Sequence, residues 1–374
     1  MKIIRLSKSS IGIEEKRSVL NVLNKEFLGM GQEVFNFEKN LQKFLSNQVF
    51  VSCVNTGTSA IQLALQAVGV GRGDEVLVPS LTYVATYQAI SATGAKPISC
   101  DINTSNLTID INDLKKKISK KTKAIVPVHY TGDVSDMMKI NNLAKKNNLR
   151  VIEDAAHAFG SIYNNKLVGL NSDIACFSFD GIKNITSGEG GAIVTKDKKI
   201  YHLIKDLRLL GVHKDSDKRF RNERSWNFEV FNQGWRYHMS NINAAIGIEQ
   251  LKKINKFKKK RKSIAKKYVR ELSSVDGINI LNLNYKNIMP HIFVILVENN
   301  KRDKLKNYLL SKHIETGIHW KPNHLLKKYR TSIKLPKTEM IYKKILTLPC
   351  HVDLSIKNQN YIIKKIKDFF INGK

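Results

Sequence analysis

Cysteine is scarce in this sequence, which has four among 374 residues: Cys53, Cys100, Cys176 and Cys350. No two of them form a CxxC pair, and no cysteine or histidine cluster has the spacing of zinc ligands. Three of the four lie in or beside predicted strands, so we interpret the cysteines as small buried hydrophobic residues. The sequence therefore predicts no metal site.

Long apolar runs are also missing. No run approaches the roughly 18 apolar residues that a membrane-spanning helix needs. The first residues, MKIIRLSKSSIGIEEK, lack the apolar core of a secretory signal. With 42% hydrophobic and 8% aromatic residues, the composition is that of a globular protein. We therefore expect a cytoplasmic protein with no membrane partner.

Acidic residues are few: 32 Asp and Glu face 63 Lys and Arg, for a formal net charge of +31. Such an excess is compatible with nucleic-acid binding, with attraction of anionic substrates, or with lysines that simply occupy solvated surface positions. The lysines are spread from end to end, and even the run at residues 258–262 is typical of a solvated helix face. We favour the solvated surface and expect no nucleic-acid partner.

The first 152 residues alternate between short apolar runs and amphipathic segments. The predicted helices are 13–23, one ending near Phe44, one from Ala60, one from Ser80, 111–118 and 134–145, and the predicted strands are 49–54, 75–78, 97–101, 124–128 and 150–152. Repeated strand–helix units of this length predict an α/β fold with a mainly parallel sheet and helices on both faces.

The segment 151–195 is the centre of the sequence. Two apolar runs, 174–177 and 192–194, predict buried strands, and the loop between them contains Lys183. Upstream, the predicted strand 150–152 is followed by Glu153 and Asp154. Ligands of open α/β sheets bind at the carboxyl ends of strands, and both Lys183 and Asp154 would lie there.

A lysine and an aspartate in these positions suit pyridoxal 5'-phosphate (PLP) chemistry. The lysine amine forms a Schiff base with the cofactor aldehyde, while an acid keeps the pyridine nitrogen protonated. The lysine must then lie where burial or a nearby cation favours its neutral form. Taken singly, Lys183 is equally compatible with an ordinary loop lysine, and Asp154 with a helix cap.

The turn at residues 55–59, between a predicted strand and a predicted helix, is a candidate phosphate site. A helix amino terminus offers unpaired N–H groups to an anion, which makes Gly57 and Thr58 candidate ligands; Ser and Thr also cap helices of any function. Further along, Tyr83 is placed where a ring could stack on a cofactor, with a core tyrosine as the alternative.

Beyond residue 195 the pattern predicts a helix at 200–210, a mobile loop at 211–232 and a helix at 242–251. Apolar residues from Leu251 to Leu272 recur at helical spacing and predict one long helix. A strand at 291–297, a helix at 301–311, a strand near 314–318 and helices at 337–345 and 359–370 predict a small α+β unit. We divide the chain into a large cofactor-binding domain, residues 1–250, and a long linking helix with a small carboxyl-terminal domain, residues 251–374.

Two central motifs, EDAAHAFG (153–160) and FSFDGIKNITSGEGGAIVT (177–195), resemble the core signature of the DegT/DnrJ/EryC1/StrS family of sugar aminotransferases. The resemblance implies the PLP-dependent fold type I of aspartate aminotransferase. It also implies that Lys183 is the Schiff-base lysine, Asp154 the partner of the pyridine nitrogen, His157 a contact near the ring hydroxyl, and Ser178 a phosphate ligand. It supports Gly57, Thr58 and Tyr83 as cofactor contacts. Related dehydratases carry histidine in place of the lysine.

Flanking motifs extend the resemblance over nearly the whole chain. FLGMGQEV (27–34) is similar to the family's opening turn near the substrate, which makes Gly31 a candidate contact. GIHWKPNH (317–324) is similar to a substrate-facing turn, with His319 and His324 as candidate sugar contacts, and LPC (348–350) to a structural motif.

The motif GWRYHMS (234–240) departs from the family pattern, in which an Asn reaches the cofactor phosphate of the partner subunit. Arg236 replaces that Asn, and His238 replaces an Arg. A guanidinium can also bind a phosphate, so the resemblance implies a homodimer with shared active sites.

The expected function is transfer of an amino group from L-glutamate to a nucleotide-linked keto-6-deoxy sugar, such as a dTDP-4-keto or 3-keto sugar. Its product would serve surface polysaccharides or glycosylated metabolites. The GWRYHMS variant is similar to enzymes of the dTDP-viosamine type. Two alternatives stay open: a PLP-dependent enzyme of another reaction type, such as a sugar dehydratase, and a binding protein with a non-catalytic cofactor site.

Overall fold

A computed structural model of the chain describes residues 3–224 and 226–372. The strands are β1 Phe50–Val54, β2 Glu75–Pro79, β3 Lys96–Cys100, β4 Thr122–Ile125, β5 Arg150–Asp154, β6 Ile162–Tyr163, β7 Lys166–Leu167, β8 Ile174–Ser178, β9 Gly191–Thr195, β10 Ile278–Ile280, β11 Phe293–Val297 and β12 Ile345–Leu348. The α-helices are α1 Ile13–Asn24, α2 Gln32–Leu45, α3 Gly57–Ala67, α4 Val84–Ala92, α5 Ile111–Lys117, α6 Met137–Lys146, α7 Lys198–Leu207, α8 Asp215–Phe220, α9 Asn241–Lys252, α10 Ile254–Leu272, α11 Arg302–Ser311, α12 Pro336–Lys344 and α13 Ile356–Asn372. Short 3-10 helices span Tyr130–Gly132, Asn323–Leu325 and Lys327–Tyr329.

Seven of these strands form one sheet in the order β1-β9-β8-β5-β4-β2-β3. The run β8-β5-β4-β2-β3 is parallel throughout, whereas β9 is antiparallel to both of its neighbours, β8 and β1. The prediction of an α/β fold with a mainly parallel sheet is confirmed.

The central strands are hydrophobic because both faces of the sheet are covered. Every residue of β8 and of β9 is buried, as expected for strands with helices on both sides. On one face, α3 packs its buried residues against β5, β8 and β9. This packing brings the amino terminus of α3 to the sheet edge where β5 and β8 end.

The C-terminal part of the chain (residues 254–372) has its own sheet, antiparallel in the order β10-β11-β12. Helices α10, α11 and α13 contribute to one apolar cluster with these strands. The α+β character predicted for this part is what the structure has, while the domain boundary at residue 250 stays a prediction.

Several predicted elements differ from the structure. The long helix does not begin at Leu251, because α9 ends at Lys252 and α10 begins at Ile254. Residues 314–318 form isolated bridges, Ile4 with Ile314 and Gly317 with Thr347, instead of a strand. The predicted loop 211–232 contains α8, and its Ser225 lies outside the described residues.

Helix α1 begins at the predicted residue and ends one residue later than predicted, at Asn24, but its packing is not as expected. Leu20 and Leu23, predicted on its apolar side, are 56% and 44% exposed, while Val22 and Glu15 are buried. Glu15 is held by Lys253 and Gln250, so polar contacts fix the inner face of this helix.

All four cysteines are buried and unpaired, as predicted. Within residues 3–224 and 226–372, every helix is too short or too polar to pass through a lipid bilayer.

Candidate active site

A cavity of about 450 Å³ opens where β5 and β8 end beside the amino terminus of α3. Both strands belong to the parallel run, so their carboxyl ends meet at one sheet edge. The C-terminal part supplies one wall of the cavity through His291, His319 and Trp320. Eight predicted site residues line it: Gly57, Thr58, Tyr83, Asp154, His157, Ser178, Lys183 and His319.

Lys183 lies in the loop between β8 and β9, and its main chain is fixed on both sides. The N–H of Lys183 donates to the Asp180 carbonyl at 3.1 Å. The side-chain amide of the next residue, Asn184, donates to the carbonyls of Phe159 (3.0 Å) and Met289 (3.2 Å). The loop therefore cannot move without breaking contacts with two other segments.

The Lys183 amine has no hydrogen-bond or ion-pair partner among the residues that the structure describes. Burial lowers its pKa, and the nearby carboxylates of Asp180 and Asp154 oppose this effect. Removal from water disfavours the charged form of a lysine, so the site favours the neutral, nucleophilic amine.

Asp154 is the last residue of β5 and is 5% exposed. Thr86 Oγ1 donates to its Oδ2 at 2.7 Å, and the N–H of Ala156 donates to its Oδ1 at 3.2 Å. Burial raises the pKa of Asp154, while these two hydrogen bonds and Lys183 lower it. The carboxyl group is thus fixed in direction but lacks a cation in contact with it.

The amino terminus of α3 forms a cradle beside β8. Thr56 caps the helix by accepting the Ser59 N–H at 3.0 Å. A Cβ at Gly57 would lie 2.8 Å from Ser178 Cβ, so only glycine leaves this space open. N–H groups at the start of an 11-residue helix, next to a serine hydroxyl, suit a phosphate.

Histidine and tryptophan rings form one wall of the cavity. The His157 ring lies 4.2 Å from the His291 ring and 5.1 Å from the Trp320 ring, centroid to centroid. Burial lowers the pKa of His157 and His291 well below the ordinary histidine value, and that of His319 to about 4. These imidazoles are neutral near pH 7, so they serve as hydrogen-bond partners and not as cations.

Tyr83 lies at the open side of this wall. Its ring is 55% exposed and 5.7 Å from the Trp320 ring. It is the amino-terminal cap residue of α4, one position before the helix, and not inside the helix as the sequence predicted. The exposed ring argues against the alternative of a core tyrosine.

Three predicted site residues do not line the cavity. Arg236 is exposed, with its main chain bridged to Leu209. Gly31 precedes α2 and packs near Asn222 and Asn241.

The third, His324, is 1% exposed. Its Nδ1 is bonded to the hydroxyl of the buried Ser80 at 2.7 Å, and its Nε2 lies 3.4 Å from Glu339. This arrangement supports a structural role for His324, because a buried ring with bonded nitrogens cannot reach a sugar.

Of the lining residues that were not predicted from the sequence, three contribute directly to the site. They are Thr86, which orients Asp154, and the two rings of His291 and Trp320. Trp320 lies within the GIHWKPNH motif, and an aromatic next to a predicted contact was a usable signal. Thr86 and His291 carried none, since neither lies in a motif with a chemical role.

Residues 9–367 match the sequence profile of the DegT/DnrJ/EryC1/StrS aminotransferase family. The chain belongs to this family. The mainly parallel α/β fold is that of its sugar aminotransferases, which share the PLP fold type I.

Several known proteins are similar over almost the full chain. The spore coat polysaccharide biosynthesis protein SpsC of Bacillus subtilis is 32% identical over 369 residues, which cover 96% of this chain and 95% of SpsC. The aminotransferase TlmJ of Streptoalloteichus hindustanus superposes with a TM-score of 0.93, at 27% identity and full coverage of both chains. Helicobacter pylori PseC, an aminotransferase of pseudaminic acid biosynthesis, superposes with a TM-score of 0.91, at 29% identity over 99% of this chain and all of PseC.

Enzymes of this family depend on PLP. A protein described as a sugar aminotransferase, Spr1654 of Streptococcus pneumoniae, is known in PLP and PMP forms, with a TM-score of 0.91 and 27% identity over 99% of both chains. The residues of the cavity fit the cofactor. The Gly57 cradle is open, the carboxyl group of Asp154 is buried without a contacting cation, and His157 Nδ1 is buried without a partner.

Proposed function

We propose that the chain is a PLP-dependent aminotransferase that moves an amino group from L-glutamate to a nucleotide-linked keto-6-deoxy sugar. One observation carries the proposal: a lysine without a partner, a buried aspartate and an open phosphate cradle border a single cavity. Each of the three matches one group of the cofactor: the lysine matches the aldehyde, the aspartate matches the ring nitrogen, and the glycine turn matches the phosphate. The alternative of a sugar dehydratase is disfavoured by Lys183.

The large-domain residues would hold the cofactor. Bound PLP supplies an electron sink that stabilises negative charge at the carbon next to the transferred nitrogen. Gly57, Thr58 and Ser178 bind the phosphate, and Asp154 keeps the proton on the ring nitrogen. A cation at that nitrogen would also compensate the buried carboxylate, whose pKa is otherwise raised.

Lys183 serves as the proton carrier. In the first half-reaction its Nζ would accept the proton from Cα of the amino donor and pass it to the bound cofactor. In the second half-reaction it would move a proton from the cofactor to the sugar carbon that receives the nitrogen. Both transfers need an amine whose pKa is below the ordinary lysine value, which burial provides. His157, His291 and Trp320 exclude water from this side of the cavity.

The acceptor proposed is a dTDP- or related NDP-4-keto or 3-keto sugar, with viosamine-type amination as one case. Relatives named for spore coat polysaccharide and pseudaminic acid biosynthesis support an amino-sugar product. We also propose a cytoplasmic homodimer in which Arg236 reaches the cofactor phosphate of the partner subunit, since Arg236 is exposed and outside its own cavity.

The reaction is tested by mixing the PLP-loaded protein with glutamate and a panel of NDP-4-keto and NDP-3-keto sugars. We expect 2-oxoglutarate to appear with at least one acceptor, and NMR of the product gives the aminated carbon. If 2-oxoglutarate appears with none of them, the proposed reaction is wrong.

The residue assignment is tested by Lys183→Ala. We expect turnover to fall by at least about 10²- to 10⁴-fold, which acid–base catalysis alone contributes, and the yellow colour of the loaded protein to be lost. Lys258→Ala is the matched control, because Lys258 is another half-buried lysine with a lowered pKa, bonded to the Gly160 carbonyl outside the cavity. Retained turnover in Lys183→Ala would remove this lysine from the mechanism.

A further inference from the structure

Arg261 on α10 is a buried cation without a carboxylate partner. It is 2% exposed, and no ion pair to it occurs among the described residues. Its Nη1 donates to three main-chain carbonyls, those of Cys350 (2.6 Å), His291 (2.9 Å) and Pro290 (3.3 Å). Its Nη2 donates to the carbonyl of Lys183 at 3.5 Å.

These four carbonyls belong to three segments that are distant in sequence. Lys183 lies in the loop of the central sheet, Pro290 and His291 precede β11, and Cys350 follows β12. A planar guanidinium has fixed donor directions and can bond all three segments at once, whereas an ammonium on a flexible stem cannot hold the same geometry. Burial of this charge without a counter-ion has a high desolvation free energy, so its hydrogen bonds to the carbonyls must have good geometry.

A second, small cavity lies beside Arg261. Its volume is about 20 Å³, enough for one water molecule. Arg261, His291, His319 and His351 line it, and it shares Ile182, His291 and His319 with the larger cavity. Three buried polar atoms of the lining residues have no partner in the described part of the chain: Arg261 Nε, His291 Nδ1 and His351 Nδ1.

Buried polar atoms without hydrogen-bond partners destabilise the folded state. One water molecule with about three hydrogen bonds would supply the missing partners. A water there would accept from Arg261 and donate to a ring nitrogen of neutral His291. That would leave the other ring nitrogen of His291 with its N–H toward the His157 side.

We propose that Arg261 is a positioning residue of the active site, which holds the main chain of Lys183 and His291 directly and the His291 ring through one water molecule bound in the small cavity. The proposal rests on the proposed role of Lys183. Arg261 does not reach the large cavity and does not touch the reacting atoms. Its effect is to keep His291 and the Lys183 loop in place at the large cavity.

The experiment uses the full-length protein without cofactor. Acetylation of Lys183 by acetic anhydride is followed over a pH series by mass spectrometry of its peptide. Burial is the main cause of the lowered pKa of Lys183, so loosening the wall admits water. In Arg261→Lys, which keeps the charge but loses the planar donors, we expect the midpoint of the acetylation curve to move to higher pH.

Arg302→Lys is the matched control. Arg302 is also a buried arginine, 9% exposed, which donates to the carbonyls of Tyr342 and Ile345, but it lies outside both cavities. We expect its acetylation curve to match the wild type. A wild-type curve in folded Arg261→Lys, or an equal shift in both variants, overturns the positioning role.

Two further measurements test the positioning role of Arg261 and the water site if Arg261→Lys does not fold. The less polar variant Arg261→Met is tested in the same way. A high-resolution crystal structure of the wild type, grown with bromide, should show one water about 3 Å from His291 Nδ1. An empty cavity, or an anomalous bromide peak in it, overturns the water site.

In the loaded enzyme, displacement of Lys183 by a fraction of an ångström should lower kcat by about 10- to 100-fold with a much smaller change in KM. This outcome is separable from the proposed reaction. If the PLP-loaded wild type forms no 2-oxoglutarate with any acceptor, the proposed function is wrong whatever Arg261 does. If only the Arg261 variants behave as wild type, the function stands and the positioning role falls.

Discussion

Among single residues, Thr86 has the clearest effect on the active site, because its hydroxyl orients the carboxyl group of Asp154 and lowers the pKa of that group. Thr86 Oγ1 donates to Asp154 Oδ2 at 2.7 Å, and Thr82 Oγ1 lies 3.1 Å from Thr86 Oγ1 in turn. Burial raises the pKa of Asp154, and the Thr86 bond is the first of the contacts that lower it. The threonine therefore extends the pH range over which Asp154 is ionised.

Thr86→Val should shift the acidic limb of the pH–rate profile to higher pH. Loss of the hydroxyl removes a contact that stabilises the carboxylate, so the pKa of Asp154 rises further and the ionised form is lost earlier as the pH falls. A hydrogen bond to a charged group contributes about 1.5–3 kcal/mol, so the rate at a given acidic pH should fall by roughly 10- to 100-fold.

Thr93→Val is the control, since Thr93 follows the same helix, α4, and its hydroxyl donates to the Ile90 carbonyl away from the cavity. An unchanged profile in Thr86→Val would show that this bond does not set the ionisation of Asp154.

Most of the site residues that were predicted from the sequence do line the cavity. Lys183, Asp154, Ser178 and Gly57 follow strands or open helices, and strand ends of a parallel sheet meet in space. Thr86 and His291 were not accessible, because pattern and spacing do not say which side chain of one element meets the end of another. His324 was misplaced since residues within one turn point in different directions.

At the scale of elements, the first turn of α3 and the end of β8 are packed so closely that they act as one unit. The approach of Gly57 to Ser178 leaves no room for a side chain. The N–H groups of the turn and the Ser178 hydroxyl thereby face the same space, which the cofactor phosphate would fill.

Gly57→Ala should weaken PLP binding with little effect on folding elsewhere. The added Cβ would stand 2.8 Å from Ser178 Cβ, so either the turn or the strand end must shift. We expect the Kd for PLP, measured by the absorbance of the loaded protein, to rise at least about tenfold, the equivalent of one lost hydrogen bond. Gly71→Ala, at a glycine with open space around it, should bind as the wild type does. Equal Kd values for PLP in the two variants would contradict the assignment of the Gly57 turn as the phosphate site.

Most elements of the large sheet were predictable because their strands are short apolar runs between turn residues. The break between α9 and α10 was not, since no glycine or proline marks it; Lys253 at the break instead pairs with Glu14 and Glu15 of α1, a contact from distant sequence. Strand β12 follows directly on α12 without a turn residue between them, so helical periodicity concealed its start.

At the scale of the whole molecule, buried histidines connect stability to pH. Burial lowers the pKa of six of them: His157, His238, His291, His319, His324 and His351. The unfolded chain takes up protons below about pH 6.5 while the folded chain does not. Their contribution to stability is therefore complete above that pH and declines as the pH falls.

The free energy of unfolding should be lower at pH 5.5 than at pH 7.5, with each histidine contributing a slope of at most about 1.4 kcal/mol per pH unit. Asp154 and Asp133 have raised pKa values, so they oppose this trend. Urea unfolding measures the effect. His238→Asn, which removes a histidine with a pKa of about 4, should reduce the slope. As the control, His202→Gln at an exposed position should leave the slope unchanged. A wild-type free energy of unfolding that does not vary with pH would contradict the proposed link between the buried histidines and stability.

The proposed sharing of active sites predicts complementation between two inactive variants. If Arg236 serves the partner subunit, a hybrid of Lys183→Ala and Arg236→Ala subunits has one site with both residues intact. Co-expression should then restore about a quarter of the wild-type rate, since half of the dimers are hybrids with one working site. Without restoration, Arg236 either acts within its own subunit or has no role.

The residues that border the large cavity extend along the chain from Thr56 to Trp320. During synthesis, the pocket therefore stays incomplete until Trp320 has left the ribosome. Vitamin B6 capture should be a late event in the life of each molecule, and the yellow colour of a preparation should report the fraction of chains that matured fully.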